Sequence, residues 1–279
     1  MTHRLAVDWG SSRLRVTRVP EGGPDETRRA ATGASGLIGG GACGFEQALL
    51  ALAGDWLGDC ELVTVSGMAT ARGGWCETPY LPCPADLSGL GSHAVTGRIG
   101  DVPVRFLPGL VDPAGPDVMR GEETQLARLA GAGPQVVVLP GTHSKWARLE
   151  GKTVLGFRTF MTGEIYDLVL HRSLAGRLAE GDAFDEDAFR RGLARGRSGV
   201  LGALFSARPA VLTGQFPPAE VAAYLSGICI GAEVAEAIGL FGDIGRTPVA
   251  LCGAAPLLAL YEAAFEEAGL PIARTSATE

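Results

Sequence analysis

Asp8-Trp9-Gly10-Ser11-Ser12-Arg13-Leu14-Arg15 and Leu139-Pro140-Gly141-Thr142-His143-Ser144-Lys145-Trp146 are the two stretches on which the fold turns. Each follows a strand-like run, Arg4 to Asp8 in one case and the apolar Val136 to Leu139 in the other. Each then leads into a second strand-like run, so a strand, a glycine loop with hydroxyl side chains and a strand occur twice. Glycine lets the backbone approach an anion closely, while hydroxyls and loop amides donate to phosphate oxygens. Two α/β halves of this kind suit a nucleotide held between domains. The boundary is expected in Ala130-Gly131-Ala132-Gly133-Pro134, which divides the chain into domains 1–132 and 133–279.

In the first loop Gly10, Ser11 and Ser12 are candidate phosphate-binding residues. Asp8, at the strand end, is a candidate Mg²⁺ ligand acting through water, because Mg²⁺ keeps part of its hydration shell. Arg13 or Arg15 would add positive charge. The same residues also suit an ordinary hairpin tip. In the second loop Gly141 offers close approach, Thr142 and Ser144 offer hydroxyls, and Lys145 offers a cation. The spacing is not that of a Walker A loop. His143 is one of four histidines, and a lone histidine is more commonly a structural hydrogen-bonder. The occurrence of two such loops favours phosphate binding.

Working outward, Leu14 to Val19 completes a hairpin with the first strand, and Pro20 to Asp25 is a surface turn. Phe45, Leu49, Leu52 and Trp56 follow helical spacing, which predicts a helix over 44–57. Leu62 to Val65 and Val102 to Leu107 read as strands, whereas 69–92 reads as loop. A helix begins near Gly121. In the second half, strands are predicted at 146–149, 153–160 and 249–252, and helices at 163–173, 185–195, 218–240 and 255–268.

A kinase acting on an alcohol needs a carboxylate to orient the hydroxyl and accept its proton. Glu122 and Glu123, at the start of a helix between the two loops, are the candidates. Acidic residues are equally favoured there by the helix dipole. Loop 66–86 mixes Arg72, Trp75, Glu77 and Tyr80 with prolines, as polar-ligand pockets do, though a self-packed surface excursion has the same composition. Arg72, Arg120 and Arg158 are candidates for an arginine fork on a substrate carboxylate. Cys76, Cys83 and His93 match no zinc spacing and lack an evident neighbouring base. Gly227, Gly231 and Ala235 share one helix face and suggest close helix packing first, contact with a nucleoside second. Gly253, at a strand-to-helix turn, could pass beside a nucleoside or serve only the turn.

The chain has 279 residues, 46% hydrophobic and 20% charged, which supports a buried core and argues against disorder. The net charge of −7 and the absence of a basic run disfavour a nucleic-acid partner. No stretch is expected to approach the length of a membrane span, and the N-terminus has no signal-peptide pattern. The six cysteines form no close CxxC pair and are expected to be reduced thiols in a cytoplasmic protein.

At these residues the sequence resembles a known family. The runs Asp8 to Arg15, Glu77 to Ala85, Pro108 to Leu110, Pro116 to Gln125, Leu139 to Trp146 and Thr159 to Glu164 are similar, in order, to motifs of the 2-dehydro-3-deoxygalactonokinases. The resemblance covers residues 8 to about 175, with a weaker echo at 249–256. It implies an α/β, two-domain actin-like ATPase (ribonuclease H-like) fold with the active site in the interdomain cleft. It implies transfer from MgATP to the 6-hydroxyl of 2-dehydro-3-deoxy-D-galactonate, in galactonate breakdown. The partners implied are ATP and a small sugar acid, with neither nucleic acid nor membrane, in a monomer or a homodimer. Carried over, Asp8 to Ser12 form the first phosphate loop, Gly141 to Lys145 lie in the second, and Gly253 lies near the nucleoside. Arg72, Trp75, Tyr80, Arg120 and Arg158 are candidates for the sugar-acid site by residue type and loop position, not by the resemblance. One departure is Ala71 before Arg72, where the family usually has serine. The competing readings are a non-catalytic sugar-acid sensor and a phosphohydrolase on the same fold.

Overall fold

The computed structural model describes residues 2–131, 133–181, 183–242, 244 and 246–277, apart from the side chains of Pro134 and Arg274. The chain divides into two compact units, Met1–Ala132 with Glu150–Gly156, and Gly133–Leu149 with Phe157–Glu279.

In the first unit, β1 (His3–Trp9) and β2 (Leu14–Pro20) pair antiparallel, and β2 pairs with β3 (Glu26–Ala30). Alternation in β1 puts His3, Leu5, Val7 and Trp9 on the buried face. α1 (Ala42–Ala53) covers that face with Phe45 and Leu49, four residues apart. The predicted helix over 44–57 stops at Ala53, and Trp56 belongs to a following 3₁₀ turn. β4 (Cys60–Gly67) lies parallel to β1. The 69–92 stretch, expected to be loop, carries β5 (Tyr80–Pro82) and β6 (Ala85–Asp86). Neither is long enough to show a period. β7 (Val95–Ile99) and β8 (Val102–Phe106) form a hairpin, completing the order β3-β2-β1-β4-β8-β7. β9 (Gly109–Asp112) and β10 (Asp117–Met119) form a small sheet with β5 and deliver the chain to α2 (Glu122–Leu129).

The second unit opens with β11 (Pro134–Leu139), β12 (Ser144–Glu150) and β13 (Thr153–Phe160), followed by α3 (Thr162–Arg172). The turn joining β12 to β13 counts with the first unit, where Thr153 and Val154 pair with Asp86 and Ala85 of β6. Then come α4 (Glu186–Gly196), α5 (Val200–Leu204), α6 (Ala207–Leu212), α7 (Val221–Phe241), β14 (Val249–Gly253), α8 (Ala255–Ala268) and β15 (Ile272–Ala277). The sheet of this unit runs β15-β14-β11-β12-β13.

α7 corrects the expectation about membrane length. Pro218–Phe241 is long and apolar enough to cross a bilayer, with a mean hydropathy of 1.5, but 67% of its apolar window is buried inside the protein. It is a core helix. A Cβ on Gly227 would stand 2.1 Å from the Phe189 carbonyl oxygen, and one on Gly192 would stand 2.2 Å from the Tyr224 oxygen. The small residues on α7 therefore serve backbone-to-backbone packing with α4, which decides between the two readings of Gly227 and Gly231.

Candidate functional site

The parallel pairing of β1 and β4 sets Asp8 opposite Ser66 and Trp9 opposite Gly67, at the carboxyl ends of both strands. In open α/β sheets this is the edge where ligands bind. Gly67 has φ +84°, and Gly121, at the entry to α2, has φ +110°. A Cβ on Gly121 would lie 3.2 Å from Gly67 Cα and 3.8 Å from Asp8 Oδ1. The start of α2 is thereby seated on the end of β1. Asp8 Oδ2 accepts a hydrogen bond from the Arg15 guanidinium at 2.7 Å, and both side chains keep about a quarter to a third of their surface, 30% and 26%.

Gly10, Ser11 and Ser12 are exposed, as a phosphate-binding loop requires. The carbonyls of Gly10 and Ser11 accept the amides of Ala34 and Ser35 at 3.0 and 3.1 Å. Gly33 leaves room for this strap, since a Cβ there would stand 2.0 Å from the Ser11 oxygen. The Ser11 and Ser12 amides donate to no backbone carbonyl among the described residues. Carbonyls tied down and amides left over leave donors suited to an anion.

The two candidate carboxyls separate. Glu122 is half-buried and Oε2 accepts the Arg120 amide at 3.0 Å. Glu123 is 0% exposed, with Oε2 on the Gly121 amide at 2.6 Å and Oε1 without a hydrogen-bond partner. Burial first, and then the charge of Glu122, push its carboxyl up to about 8. A carboxyl with no exposed surface and an oxygen held on the Gly121 amide is out of reach of a bound alcohol, so Glu123 is corrected from candidate base to support of the helix start.

Two substrate candidates are also corrected. Trp75 is 9% exposed and sits in an aromatic cluster with Trp9, Phe45 and Phe106, so it is core. The apolar ring outweighed the polar company it keeps in sequence. Arg120 spends its fork inside the protein: Nη1 donates to the Thr70 carbonyl, the Thr70 hydroxyl and the Thr78 hydroxyl, Nη2 donates to the Thr78 carbonyl, and Cζ lies 4.2 Å over the Tyr80 ring. It anchors the 70–80 loop instead of waiting for a ligand. Tyr80 is 39% exposed, and Arg72 is exposed two residues beyond the anchored Thr70. Arg158 belongs to the second unit, where Nη1 donates to the Phe157 carbonyl. Burial pushes the Cys83 thiol up to about 11, away from the thiolate form that a nucleophile needs.

In the second unit β11 and β14 are parallel neighbours, Val136 opposite Val249 and Val138 opposite Leu251. Their carboxyl ends carry Gly141 and Gly253. Gly253 is buried, and a Cβ there would meet Pro140 at 3.5 Å. Thr142 and His143 are exposed. His143 Nε2 bonds Glu164 Oε2, and the Thr142 carbonyl accepts the Glu164 amide at 3.0 Å. Gly163 is required beneath the loop, because a Cβ would stand 2.7 Å from the Gly141 oxygen. Ser144 and Lys145 are corrected: they are 0% and 4% exposed, the serine hydroxyl lies 2.8 Å from the Tyr261 hydroxyl, and Lys145 Nζ donates to the His143 carbonyl. β-strand alternation is broken here, with consecutive residues of β12 buried, so both side chains support the loop from beneath.

A cavity of about 610 Å³ opens beside Gly141, lined by Thr162, Gly163, Tyr166, Ser226 and Tyr261 among others. Its residues come from α3, α7 and α8, from Gly141, and from Gly176, Ala179, Gly181, Ala183 and Phe184 between α3 and α4. The only signals of it in the sequence are the Thr162-Gly163-Glu164 run and a serine within the apolar α7 segment, and neither discloses a cavity until the helices are packed.

Known proteins are similar to this chain in sequence and fold. Residues 8–279 match the family model described as 2-keto-3-deoxy-galactonokinase. A probable 2-dehydro-3-deoxygalactonokinase of Rhizobium meliloti (strain 1021) is 38% identical over 98% of this chain and 92% of its own length. A 2-dehydro-3-deoxygalactonokinase of Escherichia coli (strain K12) is 34% identical over the same shares. Among solved structures, a candidate 2-dehydro-3-deoxygalactonokinase from Sinorhizobium meliloti superposes with a TM-score of 0.88 at 36% identity, covering 98% of this chain and 93% of that one. A candidate N-acetylglucosamine kinase from Porphyromonas gingivalis gives 0.52 at 12% identity over 99% and 95%, a likeness of fold alone. The fold is of the actin-like ATPase and sugar kinase class.

Proposed function

The chain belongs to the 2-keto-3-deoxy-galactonokinase family, and on that premise we propose that it transfers the γ-phosphoryl group of ATP to the 6-hydroxyl of 2-dehydro-3-deoxy-D-galactonate. The observation that carries the residue assignment is the seat of Gly121 on Gly67 and Asp8. It sets the start of α2, and with it Glu122, against the strand end that carries the exposed Gly10–Ser12 loop.

Glu122 is the base in this reading. It accepts the proton of the 6-hydroxyl as the oxygen attacks phosphorus, and the leaving group is ADP. In the first unit the amides and hydroxyls of Ser11 and Ser12 are donors suited to phosphate oxygens; in the second unit, taken by itself, the exposed Thr142 with Gly141 offers the same chemistry. The cavity beside Gly141 takes the nucleoside, for which its volume and mixed lining are suitable. Arg72 binds the sugar-acid carboxylate, with Tyr80 beside it; a planar guanidinium can meet a carboxylate with two hydrogen bonds.

Mg²⁺ fits this residue set as an ion held by one carboxylate and the phosphates, the common arrangement for that metal. Asp8 is the residue that would hold it, in exchange for part of its bond to Arg15. When bound it would neutralise charge on the phosphates.

Release of ADP, followed by a coupled assay, tests the proposal. The acceptors are 2-dehydro-3-deoxy-D-galactonate, its gluconate epimer, galactonate, a plain hexose and none. Turnover confined to the 2-dehydro-3-deoxy acids is expected. Equal ADP release without acceptor would replace the kinase with a hydrolase.

A further inference from the structure

Glu233 is buried in the middle of α7 at 3% exposure, a place where a carboxyl group persists only when its oxygens are satisfied. Three side chains satisfy it directly. The Trp146 indole N–H donates to Oε1 at 2.7 Å, and the Tyr261 hydroxyl donates to Oε2 at 2.6 Å. The Thr162 hydroxyl also bonds to the carboxyl. Ser144 joins through Tyr261: the tyrosine spends its proton on Glu233, so the serine hydroxyl donates to the tyrosine oxygen at 2.8 Å. Burial raises Glu233 above the ordinary carboxyl range, and these donors oppose that shift only in part.

The sequence positions of these partners matter more than their number. Ser144 directly follows the exposed Thr142-His143, and Thr162 directly precedes Gly163, against which the Gly141 oxygen lies. The carboxyl thus joins the end of the second phosphate loop to the start of the helix on which that loop rests. Thr162 and Tyr261 also line the cavity beside Gly141. We propose that Glu233 is a positioning residue for the nucleotide, holding the Gly141–Ser144 loop and the start of α3 in register from below. The inference rests on the reading that this loop and cavity receive ATP.

The test compares Glu233→Leu, Glu233→Gln and Tyr261→Phe with the unaltered protein by ATP titration calorimetry and by steady-state kinetics in both substrates. Expected is an ATP Kd raised about tenfold or more in Glu233→Leu, with the KM for the sugar acid unchanged within twofold and the melting profile cooperative. Glu233→Gln, which keeps one acceptor oxygen, recovers part of the affinity. Combining Tyr261→Phe with Glu233→Gln costs less than the sum of the two, because both break one network. If Glu233→Leu does not fold, Tyr261→Phe decides alone, since it removes one hydroxyl at constant shape. ATP affinity unchanged in the folded variants, or a sugar-acid KM that rises in step, overturns the inference. Failure of the unaltered protein to bind ATP would overturn the nucleotide reading together with it.

Discussion

Glu123 lies beneath Gly121, fully buried, with its Oε2 accepting the Gly121 amide at 2.6 Å. Glu122, one residue earlier on the same helix, stays half-buried. Successive helical residues point about 100° apart, so two adjacent acids in one first turn take different work: one closes the helix entry, the other keeps access to solvent.

Glu122→Gln is expected to lower kcat by about 10²–10⁴ while ATP still binds, since a positioned base contributes on that order. Glu123→Gln replaces one neutral group by another and should hold kcat within about tenfold. Single-turnover kinetics on both variants checks this; equal losses would reverse the assignment.

Glu123 also gives a signature in stability. Its folded value of about 8 lies above the ordinary 4.5, so the folded protein holds a proton that the unfolded chain releases. That contribution is complete below about pH 4.5 and is lost as pH rises toward about 8. The slope is at most about 1.4 kcal/mol per pH unit. Urea titrations at pH 5, 6.5 and 8 should show the fall in the unaltered protein relative to Glu123→Gln, and parallel curves would mean that the buried acid carries no such proton.

Arg72 and Arg120 should behave differently in kinetics. Arg72→Ala is expected to raise the sugar-acid KM by about ten- to a hundredfold, with the ATP KM unchanged, on loss of one charge-assisted pair. Arg120→Lys loses the fork that ties Thr70 to Thr78 and should lower thermal stability before it alters either KM. Measuring both KM values and Tm on each variant separates ligand contact from loop anchor.

Gly227→Ala would drive a methyl group into the Phe189 carbonyl, 2.1 Å away. α4 and α7 must then separate, a cost on the order of 2–4 kcal/mol. Gly239→Ala, on the same helix with nothing within 4 Å of the new Cβ, is the control and should be neutral or slightly stabilising. Chemical denaturation of both checks the pair.

Much of the site is legible in the amino-acid sequence. The Asp8-to-Arg15 hairpin, the Gly141 loop and the helix at Glu122 are local patterns, and local patterns depend on glycine, hydroxyl and acidic residues at fixed spacing. β13 and α8 match the predicted bounds: β13 opens just after the Gly151 turn, and α8 carries its helical period through Leu258, Tyr261 and Phe265 and stops at Gly269. β3, β7, β9, β10 and β15 are not legible there, since such short strands are held by their neighbours in a sheet and not by their own composition.

Spacing along the chain is enough to read the chemistry offered at two loops and a helix start. Which of those groups face outward depends on the packed fold. Burial is a property of what packs from elsewhere in the chain: Phe45 and Phe106 enclose Trp75, Thr70 and Thr78 consume the Arg120 fork, and Tyr261 takes the Ser144 hydroxyl. Glu233, an acid in an apolar helix, acquires its partners from residues 71 to 87 positions earlier and 28 later, a separation no local pattern spans.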